Sequence, residues 1–230
     1  MMKMLKYPRL SNGVMTLFAL SIGCVALVLA TLFGIRSVPR VIRNFIIFII
    51  RRVKALIRHK KGEHPPFNYS KMAENLYLGR QPATMENIKE LKSLGIKAVV
   101  SCLEPWEFLV PLEKYRAQGW TCLPINVLDF CAPEDEDIET AVKFIDRHIK
   151  EGKVYVHCNA GKGRSAVVVA AYIMTETNSS DIMGIISSMR ESRTQVAASI
   201  TRWPFSDQAR ALWRYAKNIR VAAEESKLSS

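Results

Sequence analysis

Cys158-Asn159-Ala160-Gly161-Lys162-Gly163-Arg164-Ser165 is the stretch on which the fold and chemistry of this chain turn. Before it lies Lys153-Val154-Tyr155-Val156-His157, a valine-rich run with the composition of a buried strand. After it, Ala166 to Met174 is apolar and long enough for a helix. A cysteine, five residues and an arginine are a weak signal as bare spacing. On a strand-to-helix turn, with glycines at 161 and 163 and a serine after the arginine, the same spacing describes a phosphate cradle built around a thiol.

Cleaving a phosphate monoester with a thiol requires an anionic sulfur, donors for three phosphoryl oxygens and a proton for the leaving oxygen. Cys158 is the candidate nucleophile: it sits at the positive end of the helix starting near Arg164, where dipole and guanidinium favour thiolate. The backbone N–H groups of Asn159, Ala160, Gly161, Lys162, Gly163 and Arg164 are the candidate phosphate ligands, because the two glycines permit a tight coil. Arg164 adds a planar fork that lysine could not replace. Ser165 is positioned to hydrogen-bond the sulfur, helping it leave a cysteinyl-phosphate. His157 is read as a residue that orders the loop from beneath, its alternative being a satisfied core histidine without catalytic effect; His148 reads as surface. The proton donor should be a carboxylic acid on a loop. Asp129, in Asn126-Val127-Leu128-Asp129-Phe130-Cys131-Ala132-Pro133, follows a strand on the edge where parallel sheets bind ligands. The acidic run Glu134 to Asp137 reads instead as charge at a helix N-terminus.

The net charge of +12 is concentrated in one region: residues 1 to 62 hold twelve of the 33 Lys and Arg and no acid, leaving 21 basic residues against 21 acidic in the remainder. A neutral folded part excludes a nucleic-acid-binding domain, which would carry a basic face of its own. The five cysteines, Cys24, Cys102, Cys122, Cys131 and Cys158, are odd in number, irregularly spaced and without a zinc pattern. They point to a reducing compartment with most of them buried; the thiol chemistry itself needs no metal or organic cofactor. Cys131 or Cys102 is a candidate for a reversible disulfide with Cys158.

The basic flank 1–13 precedes residues 14–35, from Val14 to Ile35 without a charge. As a helix this run measures about 33 Å, enough to span a hydrocarbon core of roughly 30 Å. The alternatives are a buried core helix, seldom this long and apolar on every side, and a cleaved signal peptide, disfavoured by a catalytic thiol. In residues 36–61, Ile42, Phe45, Ile46, Ile49, Ile50, Val53, Leu56 and Ile57 share one helical arc and the arginines gather opposite, predicting a helix in the membrane interface. Membrane contact is thus expected through residues 14–57, with the large domain on the cytoplasmic or matrix side. Residues 62–67 read as a linker, 68–222 as the catalytic domain and 223–230 as a tail.

Within that domain the pattern alternates. Strands are expected near Leu76 to Leu78, Ile96 to Cys102, Thr121 to Ile125 and Val154 to His157. Helices are expected over Met85 to Leu94, Phe108 to Gln118, Asp135 to Lys150, Arg164 to Thr175, Ser180 to Arg190 and Phe205 to Ala223. Gly95, Gly119 and Gly152 are the expected left-handed caps. This order predicts an α/β fold, a mainly parallel sheet flanked by helices.

His157-Cys158 through Arg164-Ser165, with Asp129 upstream, resembles the cysteine-dependent dual-specificity phosphatases of the protein tyrosine phosphatase superfamily, over roughly residues 70 to 220. Gly79-Arg80-Gln81-Pro82, Leu103-Glu104-Pro105-Trp106-Glu107 and the segment from Asp129 to Pro133 are similar to the mitochondrial phosphatidylglycerophosphate phosphatase branch. The run Ala160 to Arg164 is also similar to phosphoinositide 3-phosphatases. The resemblance implies a monomeric, cofactor-independent phosphatase acting on a phosphorylated lipid at a mitochondrial inner membrane. Its alternatives are a phosphoprotein phosphatase, a phosphoinositide phosphatase, another internal membrane, or a catalytically silent binding module.

Overall fold

The computed structural model describes residues 66–129, 131–197, 200 and 206–228. The expected membrane helix over 14–35, the amphipathic segment 36–61 and Phe130 lie outside the described residues. Among the described residues no helix is long and apolar enough to cross a membrane.

Among the described residues five strands form one sheet in the order β1-β2-β5-β3-β4: β1 (Tyr69–Ala73), β2 (Leu76–Arg80), β3 (Ile96–Cys102), β4 (Thr121–Ile125) and β5 (Lys153–Cys158). β2, β5, β3 and β4 are mutually parallel, with Leu78 opposite Val156 and Val100 opposite both Val156 and Leu123. β1 pairs antiparallel to β2. The central strand β5 is buried along nearly its whole length, as a valine-rich strand covered on both faces must be.

The period of two divides the core. Leu76, Leu78, Val100, Val154 and Val156 face one cluster, shared with Ile138, Ala141, Val142 and Ile145 of α3 (Asp135–Ile149) and with α4 (Arg164–Glu176). Tyr77, Val99 and Tyr155 face the other, beneath Ile88 and Leu91 of α1 (Met85–Ser93) and Tyr115 of α2 (Leu112–Arg116). α3 forms because its apolar residues recur at i, i+3, i+4 and i+7 and three acids occupy its first turn. α4 has Ala166 to Tyr172 buried throughout, so it is a core helix, with α5 (Ile182–Ser192) and α6 (Asp207–Leu228) packed against it. α1 begins at a capping box in which the Thr84 hydroxyl accepts from the Asn87 N–H and the Asn87 side chain accepts from the Thr84 N–H.

Three elements differ from the sequence expectation. β1 was not expected, because Tyr69–Ala73 carries Ser70 and Lys71 and is an edge strand with no continuous apolar run. The helix expected over Phe108 to Gln118 is a 3-10 turn at Pro105–Glu107 followed by the short α2, since Pro111 excludes the helical conformation from the residue before it. Gly95 and Gly119 adopt positive φ, whereas Gly152 does not. At Gly152 the constraint is space: a Cβ would meet the Lys97 side chain at 2.5 Å.

Candidate active site

The four parallel strands end at a common edge, and the loops that follow them carry the candidate residues. Cys158 is the last residue of β5 and Arg164 the first of α4, so the loop between them closes over the N-terminus of a buried helix. Its carbonyls are held away from the cradle. The Cys158 carbonyl accepts from the Gln81 N–H (2.9 Å), that of Lys162 from the Ala197 N–H (2.8 Å) and that of Gly163 from the Val167 N–H (3.0 Å). Arg193, itself buried, donates Nε to the Gly161 carbonyl (2.8 Å) and Nη2 to that of Ala160 (3.1 Å). In a trans peptide the N–H opposes the carbonyl. These bonds therefore turn the N–H groups of Asn159, Gly161, Lys162, Gly163 and Arg164 inward, as a phosphate nest requires.

The glycines have separate reasons. Gly161 has φ +64°, and a Cβ there would also enter the space of the Gly79 carbonyl. Gly163 has φ −124° and needs no left-handed backbone; a Cβ would meet the Gln208 amide at 2.6 Å. Gln208 in turn donates to the Cys131 carbonyl (3.3 Å), tying the start of α6 to the loop after Asp129.

Burial of the Cys158 thiol would raise its pKa, but the Arg164 charge, the Ser165 hydroxyl and the N–H groups of Ser165 and Lys162 outweigh it and bring it down to about 7. The Ser165 hydroxyl donates to the sulfur over 3.2 Å. Arg164 is almost wholly buried and held on several sides. Its Nη1 and Nη2 donate to the two carboxylate oxygens of Glu107 at 2.5 and 3.0 Å, and Nη1 also donates to the Val127 carbonyl at 2.8 Å. Asp129, on the loop after β4, places Oδ1 3.3 Å from Arg164 Nη2. Cys158, Arg164, Ser165 and Asp129 are thus brought together.

His157 points away from the cradle, into the sheet. Its Nε2 lies 2.8 Å from Ser101 Oγ on β3, and its ring lies between those of Tyr115 and Tyr155. Burial dominates its titration; a contact with the Cys158 backbone opposes and the Arg164 charge adds, and the pKa falls to about 3. A histidine neutral at all working pH can order the loop but cannot serve as an acid. His148 bonds the Phe144 carbonyl on α3, away from the site.

Sequence reasoning missed four supports. Glu107 orients Arg164; Arg193 holds the loop carbonyls; Ser101 fixes His157. Buried Gln81 donates to Asn159 Oδ1 (3.2 Å) and the Glu107 carbonyl (3.1 Å) and accepts from the Leu109 N–H (3.1 Å), joining the cradle to the turn that carries Glu107. Gln81 follows β2, Ser101 lies within β3, Glu107 ends the 3-10 turn and Arg193 follows α5, so no common sequence signal marks them. Cys102 and Cys158 are buried, Cys122 and Cys131 partly buried; burial first, then the charge of Cys158, pushes the Cys102 thiol well up. Among the described residues no group of three His, Cys, Asp or Glu could hold a metal ion.

Comparison with known proteins agrees with this geometry. The dual specificity phosphatase catalytic-domain family matches residues 76–203. The chain is 36% identical over 137 residues to phosphatidylglycerophosphate phosphatase PTPMT1 of Arabidopsis thaliana, and 36% over 130 residues to PTPMT2 of the same plant. The matches cover 59% and 56% of this chain, but only 40% and 56% of those proteins. The crystal structure of a PTPMT1 in complex with PI(5)P superposes with TM-score 0.59 at 22% identity, covering 67% of this chain and 98% of that one, a likeness of fold. A strand-loop-helix cradle with its thiol and guanidinium in place, under a matching family domain, makes this chain a member of the dual specificity phosphatase family and a cysteine-dependent phosphatase.

Proposed function

We propose that this chain hydrolyses the phosphate monoester of a membrane lipid, with a phosphatidylglycerophosphate-type headgroup as substrate. The observation that carries the substrate class is its similarity to the two plant phosphatidylglycerophosphate phosphatases. The charge-free run 14–35 and the twelve basic residues of the first 62 support a protein anchored at an anionic membrane, the mitochondrial inner membrane being favoured.

In the proposed mechanism the Cys158 thiolate attacks phosphorus while the inward N–H groups and Arg164 hold the phosphoryl oxygens. Their grip tightens as the group becomes planar. Asp129, beside the same guanidinium, protonates the departing lipid oxygen, and then takes a proton from the water that cleaves the cysteinyl-phosphate. The Ser165 hydroxyl stabilises the sulfur as it leaves. Glu107 and the Val127 carbonyl keep Arg164 in place; removing Glu107 would take the bidentate partner from a buried cation and leave it Asp129 and the Val127 carbonyl, a cost of at most about 3–5 kcal/mol.

The test is turnover by the full chain of phosphatidylglycerophosphate and of phosphoinositides in mixed vesicles, against soluble phosphotyrosyl and phosphoseryl peptides, with Cys158→Ser as the blank. The expected result is a kcat/KM for vesicular phosphatidylglycerophosphate at least about tenfold above any peptide, the equivalent of about 1.4 kcal/mol in transition-state binding. Faster turnover of the peptides would replace the lipid reading with a phosphoprotein phosphatase.

A further inference from the structure

Among the described residues seven large apolar side chains are exposed, and four of them stand on one edge. Met85 (36% exposed) opens α1 just after β2; Trp106 (48%) and Leu109 (45%) lie between β3 and α2; Leu128 (40%) precedes Asp129 after β4. Each therefore follows the C-terminal end of a strand parallel to β5, which ends in Cys158: β2 and β3 are its neighbours and β4 lies one strand further out. Trp106 adjoins Glu107, the carboxylate that grips Arg164, and Leu109 presents its N–H to Gln81, so both are carried by backbone fixed to the cradle. Lys162, at the tip of the phosphate loop, is exposed on the same edge.

The first described residues lie here as well. β1 runs antiparallel to β2 with Tyr69 opposite Gly79, which puts the start of β1 at the end of β2. The Asn68 carbonyl accepts from the Arg80 N–H, and its side-chain oxygen accepts from Arg193, the residue that holds the loop carbonyls. The described chain thus begins at the edge where the cradle opens.

Exposed apolar side chains grouped on one surface mark an interaction site. A tryptophan and leucines with a lysine on the same edge have the chemistry of a surface that meets an anionic bilayer: indole at headgroup depth, leucines below it and the cation toward lipid phosphates. We infer that Trp106, Leu109 and Leu128, with Lys162, form a docking rim that seats the mouth of the catalytic cradle on an anionic bilayer. The rim deepens the lipid-phosphatase reading and rests on it for its benefit to turnover. A lipid phosphate must stay near headgroup level while its acyl chains remain in the membrane. A rim inserted around the cradle brings Cys158 down to that level, so the lipid need not be lifted out.

The rim can be tested on the full chain in phosphatidylcholine vesicles containing phosphatidylglycerol. The triple variant Trp106→Ala, Leu109→Ser, Leu128→Ser should turn over vesicular phosphatidylglycerophosphate about tenfold more slowly, while p-nitrophenyl phosphate turnover in the same vesicles stays within about twofold. Brominated phosphatidylcholine should quench the wild-type tryptophan emission, and Trp106→Phe should remove most of that quenching. Unchanged turnover of the vesicular lipid by the triple variant, or a loss confined to soluble phosphopeptides, would overturn the proposal. Should the triple variant lose both activities, the quenching decides: a signal unaffected by Trp106→Phe refutes the rim. Quenching through Trp106 in a wild-type protein that hydrolyses no lipid phosphate would sink the substrate reading and leave the rim standing.

Discussion

At Cys158, burial favours the neutral thiol and the surrounding charges and donors favour the thiolate, and the second set wins by enough to bring its pKa to about 7. The reactive form is therefore lost as pH falls through 7. Alkylation of the enzyme by iodoacetamide should rise to half its maximum near pH 7, and Ser165→Ala should move that midpoint upward by about one unit, the worth of one hydrogen bond to a charged group. His157, at about 3, contributes nothing to the profile. Asp129 lies within reach of a phosphate gripped by Arg164, and its role depends on how much help the leaving oxygen needs. Asp129→Asn should slow an alkyl phosphate by about 10²-fold or more and p-nitrophenyl phosphate by much less, as measured by steady-state turnover. Equal losses on both would remove Asp129 as the acid.

Among the elements, the β5–α4 loop is shaped as much by its outer contacts as by its own sequence. Gly161 is confined by its positive φ and by the Gly79 carbonyl behind it. Gly161→Ala should cost about 1–2 kcal/mol for the left-handed backbone alone, before the close contact adds to it. Arg193→Met should leave the Ala160 and Gly161 carbonyls without their donor, at about 1–3 kcal/mol, and let the inward N–H groups swing out. Both variants should therefore weaken inhibition by inorganic phosphate and lower kcat, measurable by competitive inhibition and by thermal unfolding. The loop itself was legible because its residues are contiguous and each type is needed locally. Its braces were not: Gln81, Ser101, Glu107 and Arg193 reach the loop from β2, β3, the 3-10 turn and the end of α5, and sequence distance hides such contacts. Edge strand β1 was hidden for another reason, since a strand with polar residues and one paired side carries little hydrophobic period.

Across the domain, the parallel topology makes one edge of the sheet chemically active. β2, β3, β4 and β5 end together, so the turn with Glu107, the loop with Asp129, the cradle and the exposed Trp106, Leu109 and Leu128 share that edge. The sequence by itself determined what short-range chemistry and periodicity can specify: the alternation that yields a parallel α/β sheet, the cysteine-to-arginine loop on a strand-helix junction, and the concentration of net charge in the first 62 residues. It determined these because apolar period, glycine and spacing act over a few residues. Tertiary structure alone decided which distant carboxylate grips Arg164, which guanidinium turns the loop carbonyls outward, and that Trp106, Leu109 and Leu128 are exposed in the loops after the strands that end beside the cradle. The physical reason is that a buried ion pair and a shared surface exist only after strands far apart in sequence have been placed side by side.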